Sequence, residues 1–239
     1  MGVATDTVIE SFRNDLFPGY KSSEGMEQAL LDQFPLAERA LEILGLVCWK
    51  MREFEADDAI ATAAFRFCEE VEQVVICTPD KDLAQCVVGD QIVTYNRRQQ
   101  SFMDEAGVWE KFGVAPESIP DYLALVGDTA DGVPGLPGWG SKSASAVLGR
   151  FRKLEAIPPD PADWGVAVRG ALKLAATLVA QRADAMAYRT LTTLRRDVPL
   201  PEVLEDLRWH GVDQAGFLAL CDELGFDDIR TRPHRWRQD

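Results

Sequence analysis

The sequence predicts an α/β fold, a parallel sheet with flanking helices followed by a purely helical region. Three observations predict it. Short apolar runs of strand length alternate with segments of helical apolar spacing through the first half of the chain. The run Val74-Val75-Ile76-Cys77-Thr78 is continuous, as a strand buried within a parallel sheet requires. Beyond Val126 the alternation stops, and a stretch rich in Gly and Pro introduces helices alone.

Taken in order, Glu24 to Leu44 has helical spacing broken at Pro35, which starts a second helix because an interior proline would forfeit a backbone hydrogen bond. Leu46 to Trp49 is a short strand. Glu55 to Glu69 places Ala, Ile and Phe at helical intervals, and the Val74–Thr78 strand follows. A further strand is expected at Gln91 to Tyr95, then helices at Asp104 to Phe112 and Ser118 to Val126. The segment from Asp131 to Gly140, DGVPGLPGWG, can continue neither helix nor strand. Ser141 or Ser143 can cap a helix running to about Phe151. Lys153 to Ile157 is another short helix, Pro158 to Trp164 a loop, and Val168 to Leu194 one long helical segment. The tail, Pro201 to Asp239, holds at least one helix around Gln214 to Leu224. The expected domains are 1–120, 121–200 and a helical tail 201–239.

At 239 residues and 46% hydrophobic, the chain can bury a substantial core. Five cysteines without a CxxC pair argue against a disulfide framework or zinc site and for a reducing compartment. The two histidines, His210 and His234, lie far from the acidic clusters described next, which leaves little for zinc or triad chemistry. No apolar run approaches membrane-spanning length and residues 1–7 lack a leader pattern, so a cytoplasmic protein is expected. The net charge of −14 opposes nucleic-acid binding in bulk, yet the positive charge is grouped: Arg97-Arg98, Lys142, Arg150 to Lys153, and Arg182 with Arg189. Any one such group alone is more simply a solvated helix face.

Three acidic clusters stand where apolar runs meet turns or helix starts: Glu55-Ala56-Asp57-Asp58, Asp80-Lys81-Asp82 and Asp128-Thr129-Ala130-Asp131. Gathered carboxylates raise one another's pKa unless a cation neutralises them, and hard oxygen ligands favour Mg²⁺ or Mn²⁺. Each cluster has a plainer reading. Glu55 and Asp58 share a helix face near its first turn, where acids serve as caps. Asp80 and Asp82 follow a central strand, where open α/β sheets place their sites, but Thr78-Pro79-Asp80 is also good turn chemistry. Asp128 and Asp131 could be a polar helix end, a weaker alternative because acids there oppose the helix dipole.

Gly135 to Ser143 invites comparison with a P-loop. It fails, since Ser141 separates Gly140 from Lys142 and no strand precedes it. What survives is that glycines admit a phosphate to the backbone, and free amides at the next helix start can bind it. Such a loop would grip a DNA backbone without reading bases.

In order, Glu55-Ala56-Asp57-Asp58, Thr78-Pro79-Asp80-Lys81-Asp82-Leu83 and Asp121-Tyr122-Leu123-Ala124-Leu125-Val126-Gly127-Asp128 through Ala144 resemble the 5′ nuclease family. That family includes the 5′-3′ exonuclease domain of bacterial DNA polymerase I, phage flap endonucleases and stand-alone bacterial relatives. The resemblance runs from about Ser11 to Leu200. It implies a PIN-like core carrying two metal ions, then a helix-hairpin-helix of the helix-two-turn-helix kind. It assigns Asp57 and Asp58, with Glu55 beside them, to the first metal, Asp80 to a place between the two, and Asp82, Asp128 and Asp131 to the second. It implies duplex DNA binding by the turn with Gly135, Gly138 and Gly140, followed by Ser141, Lys142 and Ser143, and in many members a potassium ion on that turn's carbonyls. Lys21 joins the DNA-gripping region, and Lys81 and Arg13 become electrostatic partners of the scissile phosphate.

Two departures stand out. The family's opening strand, ending in Asp-Gly, has no counterpart, so a chain truncated at its N-terminus is expected, with Asp6 inheriting the second acidic motif. Glu24 stands where polymerase-type members commonly carry a basic residue. The expected function is a metal-dependent 5′-3′ exonuclease or flap endonuclease, monomeric and without a fused polymerase, acting on 5′-flap, nicked or branched duplex by two-metal hydrolysis. The alternative is a structure-specific DNA-binding protein with weak or no catalysis. A nucleotide-binding α/β enzyme is disfavoured by the failed P-loop and the absence of GxGxxG.

Overall fold

The computed structural model describes residues 1–238, so the last residue of the expected tail lies outside it. The chain runs β1 (Gly2–Asp6), α1 (Phe12–Leu16), α2 (Gln28–Leu31), α3 (Phe34–Ile43), β2 (Val47–Met51), α4 (Ala56–Phe67), β3 (Val74–Cys77), β4 (Ile92–Asn96) and β5 (Ser101–Met103). Helices follow: α5 (Glu105–Phe112), α6 (Ile119–Val126), α7 (Ser141–Phe151), α8 (Ala171–Ala180), α9 (Arg182–Thr192) and α10 (Gln214–Leu224). Short 3₁₀ turns, among them Asp82–Cys86, lie between them.

Two compact units divide the chain. One comprises 1–11, 22–60 and 197–239, the other 12–21 and 61–196, and the division falls within α4. In the first unit β1 and β2 pair in parallel, Gly2 opposite Val47 and Asp6 opposite Met51. The sequence reading placed no strand at Gly2–Asp6. Helix α3 begins at Phe34 with Pro35 in its first turn, in line with the expected second helix, and packs with α10. A small cluster of Val212, Phe217 and Cys221, with Ile43, Leu44 and Trp236 against it, closes that end.

In the second unit β3 pairs in parallel with β4, and β5 adds an antiparallel edge that the sequence did not announce. The principal core lies here. Tyr122, Leu123 and Leu125 of α6 meet Ala144, Val147 and Leu148 of α7, with Leu154, Trp164, Leu174 and Leu178. Helix α6 is buried along its whole length except Val126; its sequence is apolar but for Asp121, whose Oδ1 accepts from the Leu154 amide at 2.9 Å.

The single long helix expected over 168–194 is two. Gln181 leaves helical geometry at φ −113° and ψ 29°, and α9 starts anew at Arg182. Burial explains the break: α8 presents Leu174, Ala175 and Leu178 to the core, whereas α9 presents Ala185 and Leu191 and packs along α6. No Gly or Pro marks the junction, which is why periodicity ran through it.

Candidate functional site

The acidic residues fall in both units. In the first, β1 ends on Asp6, whose Oδ1 accepts a 2.6 Å hydrogen bond from the amide of Ala56 at the start of α4. Glu55 precedes that helix and is 4% exposed; its Oε1 accepts from Ser11 Oγ at 2.7 Å. Asp58, fully buried, accepts from the Glu55 amide at 3.0 Å. Asp6 and Asp58 thus satisfy amides that α4 leaves unpaired at its first turn. Asp57 is half-buried in the first turn of α4. The Ser11 hydroxyl, which orients Glu55, carried no signal in the sequence.

In the second unit the ordering is tighter. Asp80 and Asp82 follow β3, and the Asp82 amide donates to Asp80 Oδ1 at 2.9 Å, fixing the turn. Asp128 follows Gly127, the residue that ends α6. It exchanges backbone hydrogen bonds with Val133 at 2.8 and 2.7 Å, and its Oδ1 accepts from the Ala130 amide at 3.0 Å. This small loop brings Asp131 back toward Asp128. Carboxylate oxygens of Asp82, Asp128 and Asp131 lie within 4.8 Å of one another, and among the described residues this is the one group of three potential ligands so arranged. Asp80 sits beside the group without belonging to it.

Two lysines bracket the cluster. Lys81 Nζ lies 2.6 Å from Asp128 Oδ2, and Lys21 Nζ lies 3.3 Å from Asp131 Oδ1. Lys21 is held there because its amide also donates to the Asp131 carbonyl at 3.0 Å. Burial, and then the charges of Asp80, Asp128 and Asp131, push the Asp82 carboxyl up to about 8, with Lys81 pulling it back. For Lys81, burial pulls the ammonium down, but its hydrogen bond to Asp128 and the surrounding acids outweigh that and raise it. Asp82 Oδ1 is buried without a hydrogen-bond partner. An orphaned buried oxygen, like charges at close range and oxygen-only donors fit a hard divalent cation.

Arg13, expected to face the scissile phosphate, is fully buried instead. Its Nε donates to the Leu191 carbonyl at 2.7 Å and its Nη2 to the Thr193 carbonyl at 3.2 Å, so it straps α1 to the end of α9. A guanidinium without exposed surface has no face to offer a phosphate.

The Gly/Pro stretch folds back on α6. Gly135 has φ +70°, and a Cβ there would lie 2.5 Å from the Gly127 nitrogen, so only glycine fits. Of the two candidate caps, Ser143 caps α7: its Oγ accepts from the Gly140 amide at 3.0 Å and donates to the Gly140 carbonyl at 2.9 Å. Ser141 is the first helical residue, and it and Lys142 are exposed. Gly138 has φ +87°.

Known proteins resemble this chain in sequence and fold. Residues 1–113 match the family model described as the 5′-3′ exonuclease N-terminal resolvase-like domain, and 114–215 the 5′-3′ exonuclease C-terminal SAM fold. The chain is 35% identical over 237 residues to DNA polymerase I of Mycobacterium bovis, covering 97% of this chain and 25% of that protein. It thus spans about a quarter of the length of such relatives. It is 33% identical over 207 residues to flap endonuclease Xni of Edwardsiella ictaluri, covering 86% of this chain and 79% of that one. Among solved structures, the T5 D15 protein crystallised with metal ions superposes with a TM-score of 0.63 at 16% identity, over 79% of this chain and 71% of that one. That likeness shows the fold, a PIN-like α/β core with a helical SAM-like region. By sequence and by architecture, the chain belongs to the 5′-3′ exonuclease family.

Proposed function

We propose that the chain hydrolyses DNA phosphodiester bonds as a divalent-metal-dependent 5′-3′ exonuclease or flap endonuclease. The observation that carries this reading is the convergence of Asp82, Asp128 and Asp131 within 4.8 Å, with Lys81 bonded to Asp128. Those three aspartates would hold one Mg²⁺ or Mn²⁺, and Asp6, Asp57 and Asp58 with Glu55 the other. When bound, such ions supply a water of lowered pKa and charge stabilisation for the leaving oxygen. Asp80 holds the Asp82 backbone in place through its 2.9 Å hydrogen bond. Lys81, partly exposed, is placed to shift from Asp128 to a phosphate oxygen once another cation neutralises the carboxylate.

Residues 1–120, joined by Asp128 and Asp131, would carry the chemistry, and the rest of 121–200 the hold on duplex DNA. In that hold, the amides at the start of α7 and the backbone of Gly135, Gly138 and Gly140 would meet phosphates, with Ser141, Lys142 and Ser143 beside them. A potassium ion on the turn's carbonyls belongs to the same reading. The substrate would be a 5′-flap, nicked or branched duplex, and the working form a monomer. The test is hydrolysis of a 5′-flap duplex with Mg²⁺, Mn²⁺ or EDTA; equal rates in all three would end the metal mechanism.

A second reading is structure-specific DNA binding with weak or no catalysis. It is favoured by the first unit, where Asp6 and Asp58 serve as caps of α4. It predicts salt-sensitive binding to branched duplex without turnover.

A further inference from the structure

The second unit also holds a cavity of about 480 Å³ that the acidic cluster does not use. Asp80 lines one end of it, which ties the cavity to the proposed site. Its volume falls in the range of small-ligand pockets, roughly 300–1,000 Å³. Its walls carry the hydroxyls of Thr78, Thr94 and Ser101 and the amides of Asn96 and Gln99. Hydroxyl and amide groups both donate and accept, which is what the edge of a nucleobase demands. The charged lining is Asp80 and Glu110 against Lys111, an acidic balance that admits a neutral ring and repels a phosphate.

Two further cations, Arg97 and Arg98, are exposed outside the lining, on the β4–β5 turn. Asn96 Oδ1 accepts from the amides of Arg98 and Gln99 at 3.0 and 3.1 Å, so the Asn96 side chain is anchored with its Nδ2 as the half the turn does not use. Gln100 takes φ +51°, a conformation that a residue with a side chain adopts at a cost. Phe102, which also borders the cavity, is 63% exposed, its ring 4.6 Å from that of Tyr95, its cross-strand partner. An exposed aromatic beside paired arginines is the composition of a single-strand binding surface.

We propose that this cavity receives one unpaired nucleobase of the DNA single strand adjoining the scissile phosphate. Arg97 and Arg98 pair with that strand's phosphates, and Phe102 offers a stacking surface to a neighbouring base. The assignment rests on the nuclease reading above and adds to it the place where the single strand leaves the site.

The test uses the full chain with EDTA, so that binding is read apart from catalysis. The probe is a duplex with a 5′ single-stranded tail carrying 2-aminopurine at one tail position per substrate. The expected result is a fluorescence change confined to the tail position nearest the junction. It should disappear in Ser101→Phe, which fills the cavity. Gln99→Ala, an exposed substitution that leaves the core untouched, should weaken tailed-duplex affinity roughly three- to tenfold, the weight of one hydrogen bond, with blunt-duplex affinity unchanged. Tailed-duplex binding with the same fluorescence at every tail position, or with the same signal in Ser101→Phe, overturns the pocket and leaves the nuclease reading standing. Failure of wild-type protein to bind either duplex overturns both.

Discussion

Asp82→Asn should stabilise the metal-free protein while removing its response to divalent metal. The Asp82 carboxyl sits at about 8 instead of 3.8, chiefly through burial and then through its acidic neighbours. Between those values the folded state holds a proton that the unfolded state releases, so the folded protein loses stability as pH rises across that window. At about 1.4 kcal/mol per tenfold, the whole interval corresponds to a ceiling of about 6 kcal/mol. From pH 5 to pH 7 the share is about 3 kcal/mol. Asparagine keeps the shape and the Asp82 backbone bonds but cannot ionise, so the stability of the variant minus that of wild type should grow by about 3 kcal/mol over that span. Comparing the two proteins cancels the other carboxylates. Urea unfolding in EDTA at pH 5, 6 and 7, followed through the fluorescence of the tryptophans, measures it. At pH 7, adding Mn²⁺ should then raise the midpoint of wild type and leave Asp82→Asn nearly unmoved. A difference between the two proteins that stays flat from pH 5 to 7 would refute the claim that burial and the neighbouring acids raise the Asp82 carboxyl.

Lys81→Ala should lower flap hydrolysis roughly 100-fold while changing stability by less than about 1 kcal/mol, since its ion pair is partly exposed; single-turnover kinetics and thermal melts separate the two effects. Gly135→Ala should cost about 3 kcal/mol in urea unfolding, because φ +70° and a Cβ 2.5 Å from the Gly127 nitrogen leave it nowhere to go. Trp164→Ala, removing a fully buried ring from the principal core, should cost about 4 kcal/mol, whereas Trp164→Phe should cost visibly less. Lys142→Glu should weaken duplex binding and lower the salt dependence of its logarithm by about 1 to 2, with melting unchanged, because the side chain is exposed.

Much of the architecture was legible because burial writes itself into the sequence. The strand expected at Val74–Thr78, the helix with Pro35 in its first turn and the mainly apolar α6 each follow from a local rule, although β3 buries only Ile76 and leaves Val75 and Cys77 exposed, because it stands at the edge of its sheet. The split at Gln181 was not legible, since no residue there forbids a helix; α9 leaves the axis of α8 in order to pack on α6. Strands Gly2–Asp6 and Ser101–Met103 were missed for a related reason: each is short and finds its identity through its partner strand.

The site divides along the same line. The sequence by itself determined the acidic residues, their order and the glycine turn that must follow them, because those depend on residue type and spacing. Tertiary structure decided which carboxylates share one space. Asp82, Asp128 and Asp131 converge because the 128–133 loop turns the chain back beside the segment following β3, a contact between residues about fifty apart that spacing cannot encode. It also assigned the cations. Lys81 and Lys21 bracket the cluster, while Arg13, equally basic on paper, is withdrawn to bind the carbonyls of Leu191 and Thr193. Charge is a property of the residue, but what it neutralises is set by the neighbours that folding supplies.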